Sequence, residues 1–406
     1  MAKSFFITGL DIGTGSIKGL TILKRQDSPS FEVLGRSEKF SLGIRRGVVI
    51  DPETVSKNIR LVINQLENES GQKINDVYVN LSGGHIFCVP SHGTVVVSRA
   101  DQKISKEDID RVLQSAQAFS LPLNKEIIEI FPKEFIVDGE KGIKQVEGMR
   151  GVKLEVDALA LCAFAPYLNN LSKAVVNSDV QIGDIIPSAL ASARAVLTPH
   201  QKELGVALVD IGAGTTSLAV YQEGDLIHSA VFPIGSAHIT NDIAIGLQTD
   251  IDIAEKTKKQ FGTCILNGAG KNKKEKVLLS KGTPLVFYRK MLTKIIEARV
   301  SEIFNLVQKE IKKISPQVLL PAGVVLTGGG AKMPKIVEFV RKELKLPVRR
   351  GFPQGFSEIE QDTSLSTVCG LALEGANWSK ESSFPVFTSG TGIAEKLKKV
   401  FKIFIP

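Results

Sequence analysis

The sequence predicts an α/β protein made of two similar halves with a ligand-binding cleft between them. An apolar strand, the motif Asp-Ile-Gly-x-Gly and a second strand occur twice, at residues 7–23 and 206–222, which we call the first and second hairpins. Their aspartates, Asp11 and Asp210, are 199 residues apart, about half of the chain. A third glycine-rich segment at residues 326–334, the third turn, follows another apolar strand. This internal repeat predicts two related domains that each contribute one hairpin to a shared site.

The composition is that of an ordinary folded protein. The chain has 406 residues, of which 43% are hydrophobic and 23% charged, and this excludes a disordered, collagen-like or disulfide-scaffold protein. Its four cysteines lie far apart without a Cys-x-x-Cys pair, so we expect free thiols in a reducing compartment. The first apolar run is too short for a signal peptide, and no run approaches the ~18 residues that span a bilayer. The sequence therefore predicts a cytoplasmic protein without a transmembrane helix.

Both hairpins have the residue types of a phosphate site. Glycine lacks Cβ, so backbone N–H groups can approach an anion closely, and hydroxyl groups and one lysine add further donors. A carboxylate beside phosphate is expected where Mg²⁺ lies between them, held through water; Asp11 and Asp210 are the candidates. A plain glycine-rich β-turn is the alternative for either hairpin alone. The candidate phosphate ligands are Gly13, Thr14, Gly15, Ser16, Lys18, Gly212, Ala213, Gly214, Thr215 and Thr216.

The third turn predicts a site where the ring of a ligand lies against backbone that carries no side chains. It combines the end of an apolar strand with three consecutive glycines and the start of a helix. For Met333 the alternative is packing at the helix start. The candidate contacts are Gly328, Gly329, Gly330 and Met333.

This order of motifs resembles the superfamily of actin, DnaK chaperones and sugar kinases. The resemblance implies ATP and Mg²⁺ as ligands, bound in a cleft between two domains. Lys18 follows Asp11 by seven residues, as a lysine does in actin. Residues 253–262 are similar to the adenosine helix of bacterial actins, which implies that Glu255 and Lys258, on one face of that helix, reach the ribose and base. A solvated charge pair is the alternative for these two residues.

A closer resemblance is to FtsA, an actin-like family of bacterial cell division. Residues 76–99 read as strands with a turn at Ser91-His92-Gly93, and residues 103–122 as an amphipathic helix that starts near a capping box at Ser105. With the strands that follow, they resemble the inserted α+β subdomain of FtsA, called 1C. The resemblance also includes residues 235–262 and the segment STVCGLALEG at 366–375, so it covers essentially the whole chain.

The resemblance divides the chain into an actin-like two-domain fold with additions. We expect the first domain in residues 1–83, 164–197 and 364–378, with the 1C insertion in 84–163. The second domain is expected in 198–240 and 306–363, with its small lobe in 241–305. A linker (379–391) and a C-terminal amphipathic helix (392–406) complete the prediction.

The C-terminal residues predict a membrane-binding helix. The apolar residues Ile393, Leu397, Val400, Phe401 and Phe404 form one helical stripe, and Lys396, Lys398, Lys399 and Lys402 flank it. A helix of ~14 residues is ~21 Å long, too short to cross a ~30 Å bilayer core, so it would lie in the interface of an anionic membrane. Docking on the protein's own core is the alternative. Residues 392–406, which also include Glu395, carry a local charge of +3 within the net +8 of the chain.

The FtsA resemblance implies a division scaffold at the cytoplasmic face of the membrane. Subunits would stack head to tail into protofilaments, and the small lobe would receive the C-terminal tail of FtsZ; other division proteins and anionic lipid are further expected partners. The basic loop at residues 271–276 lacks aromatic residues, and we expect no nucleic acid. A PilM-type scaffold of pilus assembly and, less favoured, a sugar-kinase-type phosphotransferase are the alternatives.

One departure from related actins concerns hydrolysis. Ile186 precedes Pro187 at the position where a glutamate orients the attacking water in related proteins. We therefore expect at most slow ATP hydrolysis. Two further departures are Ala213, in place of a glycine of the second hairpin, and Lys335, where a glycine often follows the third turn.

Overall fold

The computed structural model describes residues 4–25, 30–266, 273–277, 285–314, 320–356, 359 and 361–381. The chain begins with an antiparallel meander and a helix packed across it. That helix starts at the N-cap Asp51, whose carboxylate accepts from the N–H of Thr54, and it ends at Gly71 in the left-handed conformation. The elements are β1 (Ser4–Ile12), β2 (Ser16–Arg25), β3 (Glu32–Phe40), β4 (Ile44–Arg45), β5 (Val48–Val49), α1 (Pro52–Ser70) and β6 (Asp76–Leu81).

A separate four-stranded sheet with one helix follows. Numbered along the chain, its strands lie in the order first, fourth, second, third, and the helix covers one face of the sheet over a core of its own. The predicted capping box is confirmed, because Ser105 and Asp108 bond each other's backbone N–H groups, but the helix ends at Ser115. The elements are β7 (Phe87–Val96), α2 (Lys106–Ser115), β8 (Lys125–Val137), β9 (Glu140–Ile143) and β10 (Lys153–Phe164).

The predicted turn at Ser91-His92-Gly93 is wrong, because β7 continues through these residues. Gly93 is a packing position: a Cβ there would lie 2.2 Å from the carbonyl oxygen of Val112 and 2.7 Å from the backbone N of Ala116. The glycine lets α2 approach the strand backbone, and the sequence alone does not distinguish this use from a turn.

The chain then returns to the first sheet and crosses to the second domain. α3 (Ala165–Val176) precedes β11 (Gln181–Pro187), which completes a sheet of order β11, β6, β1, β2, β3. α4 (Ser188–Val196) follows β11 directly. β6 is parallel to both of its neighbours, β1 and β11, so the carboxyl ends of these three strands meet at one edge.

The second domain repeats this arrangement. Its sheet has the order β14 (Asp225–Phe232), β13 (Thr216–Gln222), β12 (Val206–Ile211), β17 (Val324–Thr327), β18 (Val348–Arg350), again with an antiparallel meander followed by parallel strands. The predicted two-fold repeat is thereby confirmed. The elements are α5 (Pro199–Leu204), β12 (Val206–Ile211), β13 (Thr216–Gln222), β14 (Asp225–Phe232), α6 (Ser236–Leu247), α7 (Ile251–Phe261), β15 (Lys274–Val277), β16 (Leu285–Tyr288), α8 (Arg289–Ile314), β17 (Val324–Thr327), α9 (Ile336–Leu344) and β18 (Val348–Arg350).

Two helices join the domains. α10 (Ser366–Glu381) returns to the first domain and packs on α4, where a Cβ at Gly370 would lie 1.7 Å from the carbonyl oxygen of Ala191. Residues of α4, α10 and both sheets share one buried apolar cluster, so the two domains have a common core at their junction. The cleft lies between the two domains, next to this junction.

The C-terminal predictions fall largely outside the described residues. α10 continues to Glu381, so the first three residues of the predicted linker are helical. The rest of the linker and the predicted amphipathic helix at 392–406 lie outside the described residues. Within the described part of the chain, no helix is long and apolar enough to cross a membrane.

Candidate functional site

The two predicted hairpins face each other across the cleft. A Cβ added at Gly15 would lie 2.9 Å from Cβ of Ala213, and one at Gly214 would lie 2.6 Å from Oγ1 of Thr14. None of the four hairpin glycines (Gly13, Gly15, Gly212 and Gly214) has a positive φ. Close approach of the hairpins therefore requires glycine here, and Ala213 is accommodated because its backbone needs no left-handed conformation.

The hairpins enclose a cavity of about 230 Å³. Most of the predicted phosphate and metal candidates line it: Asp11, Gly13, Thr14, Gly15, Ser16, Lys18, Asp210, Gly212, Ala213, Gly214, Thr215, Gly328 and Gly329. Thr216 does not line it, because its side chain is fully buried and Oγ1 donates to the carbonyl of Ile234 at 2.8 Å.

Asp11 and Asp210 place two buried carboxylates in this cavity. Asp11 lies opposite Lys18 in the first hairpin, with 3.8 Å between Oδ2 and Nζ. Burial raises the pKa of Asp11 to about 6; Lys18 opposes this rise, whereas Asp210 and Glu38 add to it. Both carboxylates are 8% exposed, so a cation between them would relieve a strong desolvation cost.

Hydroxyl groups from two crossing helices hold Asp210. Its Oδ2 accepts from Ser192 Oγ of α4 at 2.5 Å and from Thr367 Oγ1 of α10 at 3.1 Å. Burial raises the pKa of Asp210, and these hydrogen bonds oppose that rise. The carboxylate is thus fixed in orientation at the junction of the domains.

The third turn packs against the second hairpin at Asp210. Gly328 has φ +83°, and a Cβ there would lie 2.2 Å from Oδ1 of Asp210. Gly330 and Met333 do not line the cavity: Gly330 packs on Ile211, and Met333 is 7% exposed within the core of the second domain. Lys335 has φ +64° at the start of α9, which accounts for the glycine often found at this position in related proteins.

Glu255, which is half-buried, and Lys258, which is buried, form an ion pair on α7 behind the cavity wall. Lys258 Nζ lies 2.6 Å from Glu255 Oε2 and donates to the carbonyl of Ser236, which itself lines the cavity. Burial opposes the charge of Glu255, but hydrogen bonds from Lys258 and Thr240 outweigh it and lower the pKa of Glu255. The pair is adjacent to the cavity without lining it.

Several residues that line the cavity are not predicted by the sequence analysis. Asn80 lies near the end of β6, Ser82 follows β6, and Ser188 begins α4, at the edge where the parallel strands end. This is the edge at which open α/β sheets bind ligands; residues 76–81 are predicted as a strand, but the sequence does not show that this strand ends beside the first hairpin. The further lining residues are Glu38, Gly47, Asn80, Ser82, Ser188, Ser217, Ser236, Ser364 and Thr367.

Ile186 has an apolar surrounding. It is 8% exposed and packs in a small cluster with Ala191 and Leu371. The first side chain of this segment to line the cavity is Ser188, two residues later. No carboxylate occupies the position at which related proteins orient water.

Comparison with known proteins agrees with this architecture. The family model of the cell division protein FtsA matches residues 207–370, and that of the SHS2 domain inserted in FtsA matches residues 83–162. The chain is 35% identical to the cell division protein FtsA of Pseudomonas aeruginosa over 373 residues, which are 91% of this chain and 89% of that protein.

Solved structures with little sequence similarity share the fold. The PilM-PilN type IV pilus biogenesis complex matches with a TM-score of 0.66 at 17% identity, covering 91% of this chain and 98% of that chain. MreB5 of Spiroplasma citri bound to ADP matches with a TM-score of 0.57 at 14% identity, covering 93% and 98%. The actin-like fold with an FtsA-type insertion is therefore confirmed, and the chain belongs to the FtsA family of cell division proteins.

Proposed function

We propose that this protein is an ATP-binding, actin-like scaffold that polymerises and tethers the FtsZ division ring to the cytoplasmic membrane. The observation that carries the proposal is the cavity between the two hairpins, lined by bare backbone, hydroxyl groups, one lysine and two buried aspartates. Family membership supports the role in division. Nucleotide would act as a clasp between the domains, because residues of both domains line the same cavity.

The groups that line the cavity suit the phosphates of a nucleoside triphosphate and a Mg²⁺ ion. The hairpins would hold the phosphates through Gly13, Thr14, Gly212 and Thr215, and Lys18 would neutralise phosphate oxygens. Asp11 and Asp210 would hold Mg²⁺ through water. Gly328 and Gly329 would border the nucleoside, and Glu255 and Lys258 would reach it from α7.

Membrane attachment would rest on residues 392–406. Their apolar stripe and four lysines suit the interface of an anionic membrane. Pelleting with anionic vesicles, compared between the full chain and a truncation at Gly390, tests this step. We expect the full chain alone to pellet, and equal pelleting of both would exclude the tail as the tether.

Polymerisation and FtsZ binding complete the proposal. Subunits would stack head to tail, and the small lobe at residues 241–305 would receive the FtsZ tail. A titration of the protein with a peptide of the FtsZ C-terminal tail tests the second point. Saturable binding is expected, and its absence with a folded protein would remove FtsZ from the proposal.

A further inference from the structure

The segment Asn80–His85, which we call the connector, joins the cavity to the inserted sheet. It begins with the last two residues of β6, at the edge where β1 and β11 also end, and it leads into β7, the first strand of the insertion. Three of its contacts reach three different walls of the cavity.

Asn80 ties the connector to the first hairpin and to α4. Its Oδ1 accepts from the N–H of Ile12 at 2.6 Å, and its Nδ2 donates to Ser188 Oγ at 3.0 Å. Ser188 Oγ in turn donates to the carbonyl of Leu81 at 3.2 Å. Asn80 is 3% exposed, so these bonds are shielded from water and fix the strand end.

Ser82 ties the connector to the second hairpin across the cleft. Its Oγ lies 3.3 Å from Oγ1 of Thr215, and both hydroxyl groups line the cavity. Two hydroxyl groups at this separation, one from each domain, can donate to the same phosphate oxygen. Gly47 closes the space behind Ser82: its φ is +79°, and a Cβ there would lie 2.8 Å from Ser82 Oγ.

His85 sits in a second, small cavity behind Ser82. Asn80, Ser82 and Gly47 line both cavities. The small cavity measures about 10 Å³, room for about one water molecule. Both ring nitrogens of His85 are buried there without a hydrogen-bond partner among the described residues, and its ring packs edge-on against Tyr167 at 5.0 Å.

The end of the connector touches the second domain as well. A Cβ at Gly84 would lie 3.4 Å from Cδ of Pro233, just beyond β14. Cys88, at the start of β7, donates to the carbonyl of Ser229 in β14 at 3.2 Å. Movement of the second domain relative to the first therefore acts on the connector at Ser82 and Gly84 and on the start of β7.

We propose that Ser82 is a phosphate-contacting residue and that the connector couples occupancy of the cavity to the inserted sheet. Phosphate would engage Ser82 and Thr215 together, and a water molecule between Ser82 and His85 would stabilise the bound arrangement of the connector. This inference rests on the proposed nucleotide function and adds a route from the nucleotide to the insertion.

Hydrogen exchange of the full chain, with and without a non-hydrolysable ATP analogue and Mg²⁺, tests the route. We expect the analogue to slow exchange about tenfold both at the hairpins (residues 11–16 and 210–216) and at residues 83–96. Slowing at the hairpins alone would overturn the coupling while leaving nucleotide binding intact. No slowing at any segment would overturn both.

Two variants separate coupling from binding. In Ser82→Ala we expect the hairpins to stay protected at saturating analogue, while protection of residues 83–96 falls to less than about twofold. Ser217→Ala is the matched control, because it removes a cavity hydroxyl from β13 without touching the connector. We expect residues 83–96 to keep their protection in that variant; equal loss in both would contradict a specific role for Ser82.

Discussion

Gly15 of the first hairpin and Ala213 of the second stand against each other, so that a Cβ at Gly15 would lie 2.9 Å from Cβ of Ala213. The two positions therefore accommodate one methyl group between them. Related proteins often carry glycine where Ala213 stands. In this protein the methyl group of Ala213 needs additional space, and Gly15 provides it because it has no side chain. The hairpins approach each other closely at this contact and at Gly214 and Thr14.

The contact predicts a compensating pair of substitutions. Gly15→Ala adds a second methyl group, forces the hairpins apart and should weaken ATP binding about tenfold, or ~1.4 kcal/mol. Adding Ala213→Gly removes the opposing methyl group and should restore affinity to within about threefold. Calorimetric titration of the two single variants and the double variant measures this; additive effects would contradict direct contact.

Asp11 predicts a dependence of stability on pH. Because burial raises its pKa from 3.8 to about 6, the folded protein without nucleotide binds a proton at Asp11 more tightly than the unfolded chain does. The contribution of this group to stability is full below about pH 4 and is lost as the pH rises through about 6, by up to ~3 kcal/mol.

Asp11→Asn isolates that contribution. Relative to the wild type, the variant should gain free energy of unfolding between about pH 4 and about pH 7, as measured by urea denaturation without Mg²⁺. A constant difference between the two proteins across this range would show that Asp11 titrates normally.

The close packing of α2 on Gly93 predicts that the inserted sheet requires glycine at this position. Gly93→Ala would place its Cβ 2.2 Å from the carbonyl oxygen of Val112, and the displacement of α2 should cost about 2 kcal/mol or more. Ser91→Ala is the control: Oγ of Ser91 is buried without a hydrogen-bond partner among the described residues, so its removal should be nearly neutral. Similar stability of both variants in thermal unfolding would contradict this packing.

The surroundings of Ile186 predict slow hydrolysis. The side chain packs against Leu371 and Ala191, and no carboxylate stands at that position to orient water. We expect steady-state phosphate release from ATP to remain near background in the presence of Mg²⁺. Turnover close to that of actin filaments would show that another group orients the water.

The hairpins could be predicted from sequence because their glycines are close to an aspartate in a repeated local pattern. The sequence does not predict Asn80, Ser82 and Ser188. Single polar residues can be recognised as site residues only when it is known that β6 lies between β1 and β11 in the sheet. The turn predicted at Gly93 is wrong for a related reason. A glycine can either form a turn or allow a helix to pack closely on a strand, and its tertiary neighbours, here Val112, decide between the two.

Electron microscopy of the full chain on anionic vesicles, with and without ATP and Mg²⁺, tests membrane-bound polymerisation most directly. The truncation at Gly390 is the control, because it removes the lysines and aromatic residues of the tail. We predict ordered filaments on the vesicles that require ATP and the tail. Bare vesicles with the folded, ATP-loaded full chain would contradict the proposed function.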